Sequence, residues 1–264
     1  APSRLVYHEA MATPPAERKA LLFSAGGVRL ALRLSQVREI VPAEPGAAGA
    51  RLRAGTVPLL PVAVRLGLPP GPGGFALVIE ATPPLALQAD ALHGIVDLTG
   101  AEVFRLPART ALPDPPPFLG AVVARGEVAL ELDVSALGRA PPGPAEEVLR
   151  PVPAAARAGE AELRFARGGR VYAAPVSLLV QVLESVRLWP VPLGPPSHLG
   201  LLYHGRALYP VFDLAAARGD PAPGGAPKVL LRDAGGTAVG LLAERVLGVG
   251  ETHRGEEPGR LGWG

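Results

Sequence analysis

The stretch Leu199–Leu214, LGLLYHGRALYPVFDL, decides how this chain is read. Apolar residues flank His204-Gly205-Arg206 on both sides, and a short polar break containing glycine between two such runs signals strand, turn, strand. Side chains alternate faces along a strand, so Leu201 and Tyr203 share one face, Leu202 takes the other, and Leu208 and Tyr209 again divide. A hairpin apolar on both faces is not a solvated one. Pro210 cannot donate to a ladder, which predicts an edge or bulge exposed to partners. Two readings of the leucines stay open, a docking edge or the core between two barrels. Arg206 is suited either to grip a partner carboxylate in its planar fork or to pair with Asp213 of its own hairpin.

Two longer patterns recur along the chain. FSAGGVRLALRLSQV from Phe23 and FARGGRVYAAPVSLL from Phe165 share the Phe, a Gly-Gly pair, Ala31 with Ala173, and Ser35 with Ser177. ALVIEATPPLALQADALHGIV and LLRDAGGTAVGLLAERVLGVG align Asp90 with Glu244 and Gly94 with Gly248. The offset drifts by about a dozen residues between the two matches, as it does when loops differ in length and core elements do not. Between the copies, Gly138–Glu160 is rich in Pro and Ala without apolar periodicity and reads as a semi-rigid spacer. The organisation is an N-terminal segment at 1–19, a domain at 20–140, a linker at 141–159 and a related domain at 160–264.

Within each copy the elements are short. Gly26-Gly27 supplies a hairpin turn between ALLF and VRLAL, where apolar residues recur at period two. SQVREIV and SLLVQVL are expected to begin with a helical turn capped by Ser35 or Ser177 and then to extend. Further strands are expected at Ala76–Glu80, Leu85–Gln88, Ala121–Ala124, Val128–Leu132, Lys228–Leu231 and Val239–Ala243. Many strands at short spacing with no long helix predict small β-barrels.

Composition narrows the function. The 264 residues, 48% of them hydrophobic, are enough to bury a core in each of two domains. Net charge is only +2 with 5% aromatic residues, and the arginines are scattered, so the basic stripe with interleaved aromatics that nucleic acid needs is missing. The chain has no cysteine, which excludes disulfides, thiolate zinc sites and a cysteine nucleophile. No signal-peptide pattern shows at Ala1–Lys19 and no apolar run reaches the roughly 18 residues of a membrane span, so a cytoplasmic protein without direct membrane insertion is expected.

Catalytic constellations are not evident. His8, His93, His198, His204 and His253 are dispersed, none at zinc-site helical spacing or beside a Ser and carboxylate set. His198, His204 and Asp213 are the one grouping that could converge on a metal, and hairpin ends gather polar residues in any case. The Gly-Gly segments lack the Gly-Lys-Ser/Thr ending of a phosphate loop. No catalytic residue, cofactor or metal site is assigned.

The order of these pieces resembles the CheW-like family of chemotaxis coupling domains. The resemblance runs through F…GG…ALRLSQVREIV, a Gly-opened hairpin closing on Pro-Val, ALVIEA…LALQADALHGIV and FLGAVVARGEVALELDVSAL in the first copy, and repeats from Glu160 to about Val249. The family's hairpin is similar to Gly, two hydrophobics, Asn-Leu-Arg-Gly-Arg, two hydrophobics, Pro-Val-x-Asp-Leu. Gly200, Leu201, Leu202, Pro210, Val211, Asp213 and Leu214 fall in register with it, with Arg206 one place from the family's arginine. In the first copy, GARLRAGTVPLLPVAV, Pro61-Val62 is read as the retained pair, Val64 stands where Asp is usual, and Arg53 is the nearest candidate arginine. VREI at Val37–Ile40 fits the family, whereas the second copy has Gln181 in place of Glu39. Nothing as far as Trp263 is read as a counterpart of the closing strands Ala121–Leu132. Leu5–His8 or another chain is expected to fill the open edge.

The resemblance implies an all-β fold of two CheW-like domains, each a pair of five-stranded SH3-like barrels, the second C-terminally short. It implies a non-enzymatic adaptor that bridges the cytoplasmic tip of a chemoreceptor to the regulatory domain of a chemotaxis histidine kinase and can join other CheW-like domains. Val37, Glu39, Ile40, Arg53, Gly200, Leu202, Arg206 and Asp213 are the partner-binding residues this reading selects. A diverged interaction module outside chemotaxis and a metal-dependent hydrolase on tandem barrels remain the competing readings.

Overall fold

Val, Leu and Ala dominate runs of five to seven residues punctuated by glycine turns, and these runs become strands. The structure, a computed structural model, describes residues 18–44, 46–107, 109–110, 112–138, 161–220, 228–233, 237–251 and 259–260. The Leu5–His8 segment and the expected linker at 141–159 lie outside them. The chain divides into two compact units, Ala1–Leu106 with Pro113–Gly143, and Pro107–Leu112 with Pro144–Gly264.

The first unit contains β1 (Lys19–Ala25), β2 (Val28–Arg33), β3 (Val37–Pro42), β4 (Gly49–Leu52), β5 (Gly55–Pro61), β6 (Phe75–Ile79), β7 (Leu85–Ala89), β8 (Ala91–Asp97), β9 (Glu102–Phe104), β10 (Phe118–Ala124) and β11 (Glu127–Leu132). They form a sheet of order β8-β1-β2-β11-β10-β9 and another of order β3-β6-β7-β5-β4. The second unit contains β12 (Ala161–Arg167), β13 (Arg170–Pro175), β14 (Leu179–Leu183), β15 (His198–His204), β16 (Ala207–Phe212), β17 (Lys228–Asp233), β18 (Ala238–Ala243), β19 (Arg245–Glu251) and β20 (Gly259–Arg260). Its sheets are β19-β12-β13-β20 and β14-β17-β18-β16-β15.

All four sheets follow one plan. A central antiparallel hairpin, β1–β2, β6–β7, β12–β13 or β17–β18, takes an antiparallel strand on its first member: β8, β3, β19 or β14. Its second member takes a parallel strand: β11, β5, β20 or β16. In three sheets that parallel strand is one arm of another hairpin, β10–β11, β4–β5 or β15–β16. The fourth has the two-residue β20, paired on Tyr172 and Ala173 as Leu130 and Glu131 pair on Leu30 and Ala31. The sequence reading gave the second copy no closing strand, and Gly259–Arg260 takes part of that place.

In the stretch Leu199–Leu214, β16 lies inside its sheet and β15 at its edge, with Leu208 of the one and Leu201 and Leu202 of the other buried. Leu201 and Leu202 are both buried, on opposite faces, because the sheet is curled and covered on both sides. Leu202 joins Leu183, Val211, Val229, Leu231 and Leu242, and the neighbouring core gathers Phe165, Tyr172, Phe212, Leu214 and Leu241. Burying each such side chain is worth about 1.5–3 kcal/mol. Pro210 is buried rather than at an exposed edge, and parallel pairing with β18 begins one residue later at Val211, so the missing N–H falls just before that ladder. Gly200 lies at the bulge with φ +129°, and a Cβ there would stand 2.1 Å from the Trp189 carbonyl oxygen.

Two other expectations change. Ser35 and Ser177 lie inside three-residue 3-10 turns whose cap positions are Arg33 and Pro175, without a side-chain capping bond. The aligned Asp90 and Glu244 have one role, each accepting a hydrogen bond at 2.7 Å from the first amide of a Gly-Gly turn, Gly26 N–H and Gly168 N–H. That carboxylate ties β8 or β19 to the central hairpin beside it.

Candidate partner-binding surface

Registering the first unit on the second corrects one sequence alignment. Leu60 pairs with Leu87 as Phe212 pairs with Leu241, and Leu87 and Leu241 hold equivalent places in their hairpins. Pro58 is thus the counterpart of Pro210, and Pro61 rather than Val64 stands where Asp213 does. On this register Arg53 and Ala54 form the tight turn that Gly205 and Arg206 form in the second unit.

In the first unit three of the selected residues share β3, and Arg53 lies in the turn that follows β4. The sheet curls until its edge strands β3 and β4 touch. Val37 and Glu39 are half-buried on β3, Ile40 is 39% exposed, and Arg53 is exposed at the β4–β5 turn, all on that rim. The alternation of half-buried and exposed positions along β3 also places Arg38 outward, and Arg51 of β4 is exposed. Sequence reasoning passed over both arginines, although the period-two pattern of VREIVP marks Arg38 as outward.

In the second unit the selected residues separate. Arg206 is exposed in the turn with φ +62°, while Gly200, Leu202 and Asp213 are buried. Asp213 does not meet Arg206, because the length of β16, roughly 20 Å, lies between them. It accepts instead from Arg167 Nε at 2.8 Å, with Nη2 on its second oxygen, and from Ala215 N–H at 2.9 Å. Burial pushes the Asp213 carboxyl up, but the Arg167 guanidinium and the backbone donors outweigh it and hold it below the usual carboxylate range. The pair locks β12 to the end of the hairpin. Leu202 is corrected from binding residue to core, because neither face of β15 reaches solvent there.

The corresponding rim of the second unit carries one exposed guanidinium, Arg206 in its turn. His204 Nε2 donates to Gln181 Oε1 at 3.2 Å, joining the edge strands β15 and β14. Val180 and Val182 on β14 are 60% and 39% exposed, and on β19 Leu247 and Val249 are 46% and 64% exposed. His198 is 7% exposed, tilted on Phe212 at 5.1 Å between centroids, and neither ring nitrogen has a partner among the described residues. Burial pushes its pKa down to about 4. His198, His204 and Asp213 thus have separate surroundings, and no group of three metal-ligating side chains occurs among the described residues.

These features define a class, a tandem of paired small β-barrels whose exposed aliphatic and charged residues gather on strand edges and turns. The family model described as CheW-like domain matches residues 19–141 and again 163–256, so the chain belongs to the CheW-like domain family, in two copies. Among solved structures it is similar to the scaffolding protein TtCheW from Thermoanaerobacter tengcongensis, at 18% identity and TM-score 0.35, over 36% of this chain and 67% of that one. A search of curated proteins found no match. Among the described residues no helix is long and apolar enough to cross a membrane.

Proposed function

We propose that the chain is a non-catalytic, cytoplasmic adaptor of a chemosensory complex, coupling the cytoplasmic tip of a chemoreceptor to the regulatory domain of a chemotaxis histidine kinase. Membership of the CheW-like family over both copies carries this reading. The rim that gathers Val37, Glu39, Ile40 and Arg53 supports a docking role for the first copy, and the exposed Arg206 turn is the corresponding contact of the second. Domains at 20–140 and 160–264, joined through 141–159, present two such surfaces on one chain, suited to kinase, receptor or further CheW-like domains.

Gel filtration of the full chain with the regulatory domain of the chemotaxis kinase encoded in its own genome, with and without a receptor tip fragment, tests the reading. Co-elution that weakens in the Arg206→Ala variant supports it. Separate elution of a folded chain takes the chemotaxis role away and leaves an interaction module outside that pathway.

A further inference from the structure

The two copies differ most where their docking rims correspond. On the first, Arg38, Arg51 and Arg53 are exposed on β3, β4 and the β4–β5 turn. By register their counterparts on the second are Val180, Tyr203 and Gly205, none of them charged. Gln181 likewise stands for Glu39. One rim has three guanidinium groups, and the other has Arg206 in its turn beside an amide–imidazole bond flanked by valines.

Nearby carboxylates do not pair with the arginines among the described residues. Glu39 lies on the half-buried side of β3, and two exposed carboxylates flank the strand, Glu44 just past its end and Glu80, whose N–H donates to Gln36 O at its start. None of the three arginines is in an ion pair among the described residues, whereas Arg29, Arg33, Arg167 and Arg170 each hold a carboxylate. Three exposed planar donors on β3, β4 and the β4–β5 turn, with Ile40 exposed on β3, offer a surface suited to carboxylates.

We infer that the first copy's β3–β4 rim docks an acidic protein segment through Arg38, Arg51 and Arg53, and that the second copy's rim, with Arg206 as its single guanidinium, binds such a segment more weakly. This rests on the adaptor reading and deepens it: the tandem offers two chemically different surfaces, so its two copies engage different partners rather than duplicate one contact. The charge lies in three side chains on edge strands and a turn, and β3, β4 and β5 carry no aromatic residue to stack on a base.

The test is fluorescence anisotropy of the full chain with a labelled 16-residue Gly/Ser peptide bearing six glutamates and four leucines, and with its glutamine counterpart, at 50 and 300 mM salt. Three exposed ion pairs predict about tenfold tighter binding of the glutamate peptide at low salt, lost at high salt. The triple variant Arg38→Gln, Arg51→Gln, Arg53→Gln removes most of the difference, and Arg187→Gln in the second unit leaves it. Circular dichroism confirms that the triple variant is folded, as substitutions at exposed positions allow. Transplanting Val180→Arg and Tyr203→Arg into the second rim of the triple variant restores binding. Equal binding of the two peptides, an undiminished preference in the triple variant, or a preference for single-stranded RNA or phosphatidylserine vesicles over the glutamate peptide would overturn the inference. Because the peptide comes from no kinase or receptor, this outcome is separable from failure of co-elution with the kinase.

Discussion

Lowering the pH destabilises the second unit through one side chain. His198 is enclosed beside Phe212 with neither ring nitrogen bonded among the described residues, and its pKa is pushed down to about 4 from an ordinary 6.5. The folded state therefore holds the imidazole neutral while the unfolded chain takes up a proton as the pH drops below about 6.5. The unfolded state binds the extra proton, so stability is complete above that pH and is lost as the pH falls towards 4, at up to about 1.4 kcal/mol per pH unit. Between pH 7 and 5 the loss is about 2 kcal/mol, a large share of a domain's stability. The assay is urea unfolding at half-unit steps from pH 7.5 to 4.5, followed by tryptophan fluorescence, since the chain's two tryptophans, Trp189 and Trp263, both lie in the second copy. The His198→Leu variant removes the titration and keeps an apolar side chain of similar size. The stability difference between variant and wild type should grow by about 2 kcal/mol in the variant's favour from pH 7 to 5, with all other titrating groups cancelling. Parallel stability curves over that range would refute the reasoning, because a histidine free to protonate in the folded state cannot be enclosed as described.

Two further substitutions separate core from surface. Leu202→Asp places a carboxylate among Leu183, Val211, Val229 and Leu242 and should cost several kcal/mol, seen as loss of the cooperative melt of the second unit in circular dichroism. Arg167→Met or Asp213→Leu alone should destabilise by about 3–5 kcal/mol because each leaves a buried charge unpaired, whereas the double variant should recover most of that loss in a double-mutant cycle by urea unfolding. The first copy shows that the fold manages without the pair: on the corrected register its counterparts are Ala25 and Pro61.

The repeat was the most legible feature, because it rests on residues whose backbone role is local. The Gly-Gly turns require positive φ, at Gly26 and Gly27 and again at Gly168 and Gly169. Their alignment with Asp90 and Glu244 carried the fold even before the hydrogen bonds explained it. The hairpin of the first copy was misregistered because Pro58 and Pro61 both follow apolar residues, and only strand pairing tells them apart. The Arg167–Asp213 pair lay outside any pattern, since its members are 46 residues apart on different strands. Leu202 shows the limit of period-two reading: alternation says which residues share a face, and only the curl of the sheet decides whether both faces are covered. The rim suffered the opposite difficulty. Glu39 and Arg53 were found through family resemblance, but Arg38 and Arg51 became visible once β3 and β4 were seen to meet.

The central proposal is that the edge-strand rim and hairpin turn of one of the tandem copies dock a chemosensory kinase. Hydrogen–deuterium exchange of the full chain, alone and with the regulatory domain of that kinase, tests it most directly. The account predicts slowed exchange at β3 and the β4–β5 turn around Arg53, or at the turn bearing Arg206, with the buried stretch Leu201–Leu202 unchanged. Exchange that the kinase domain leaves unaltered throughout, or slowing confined to strands away from both turns and β3, would contradict it.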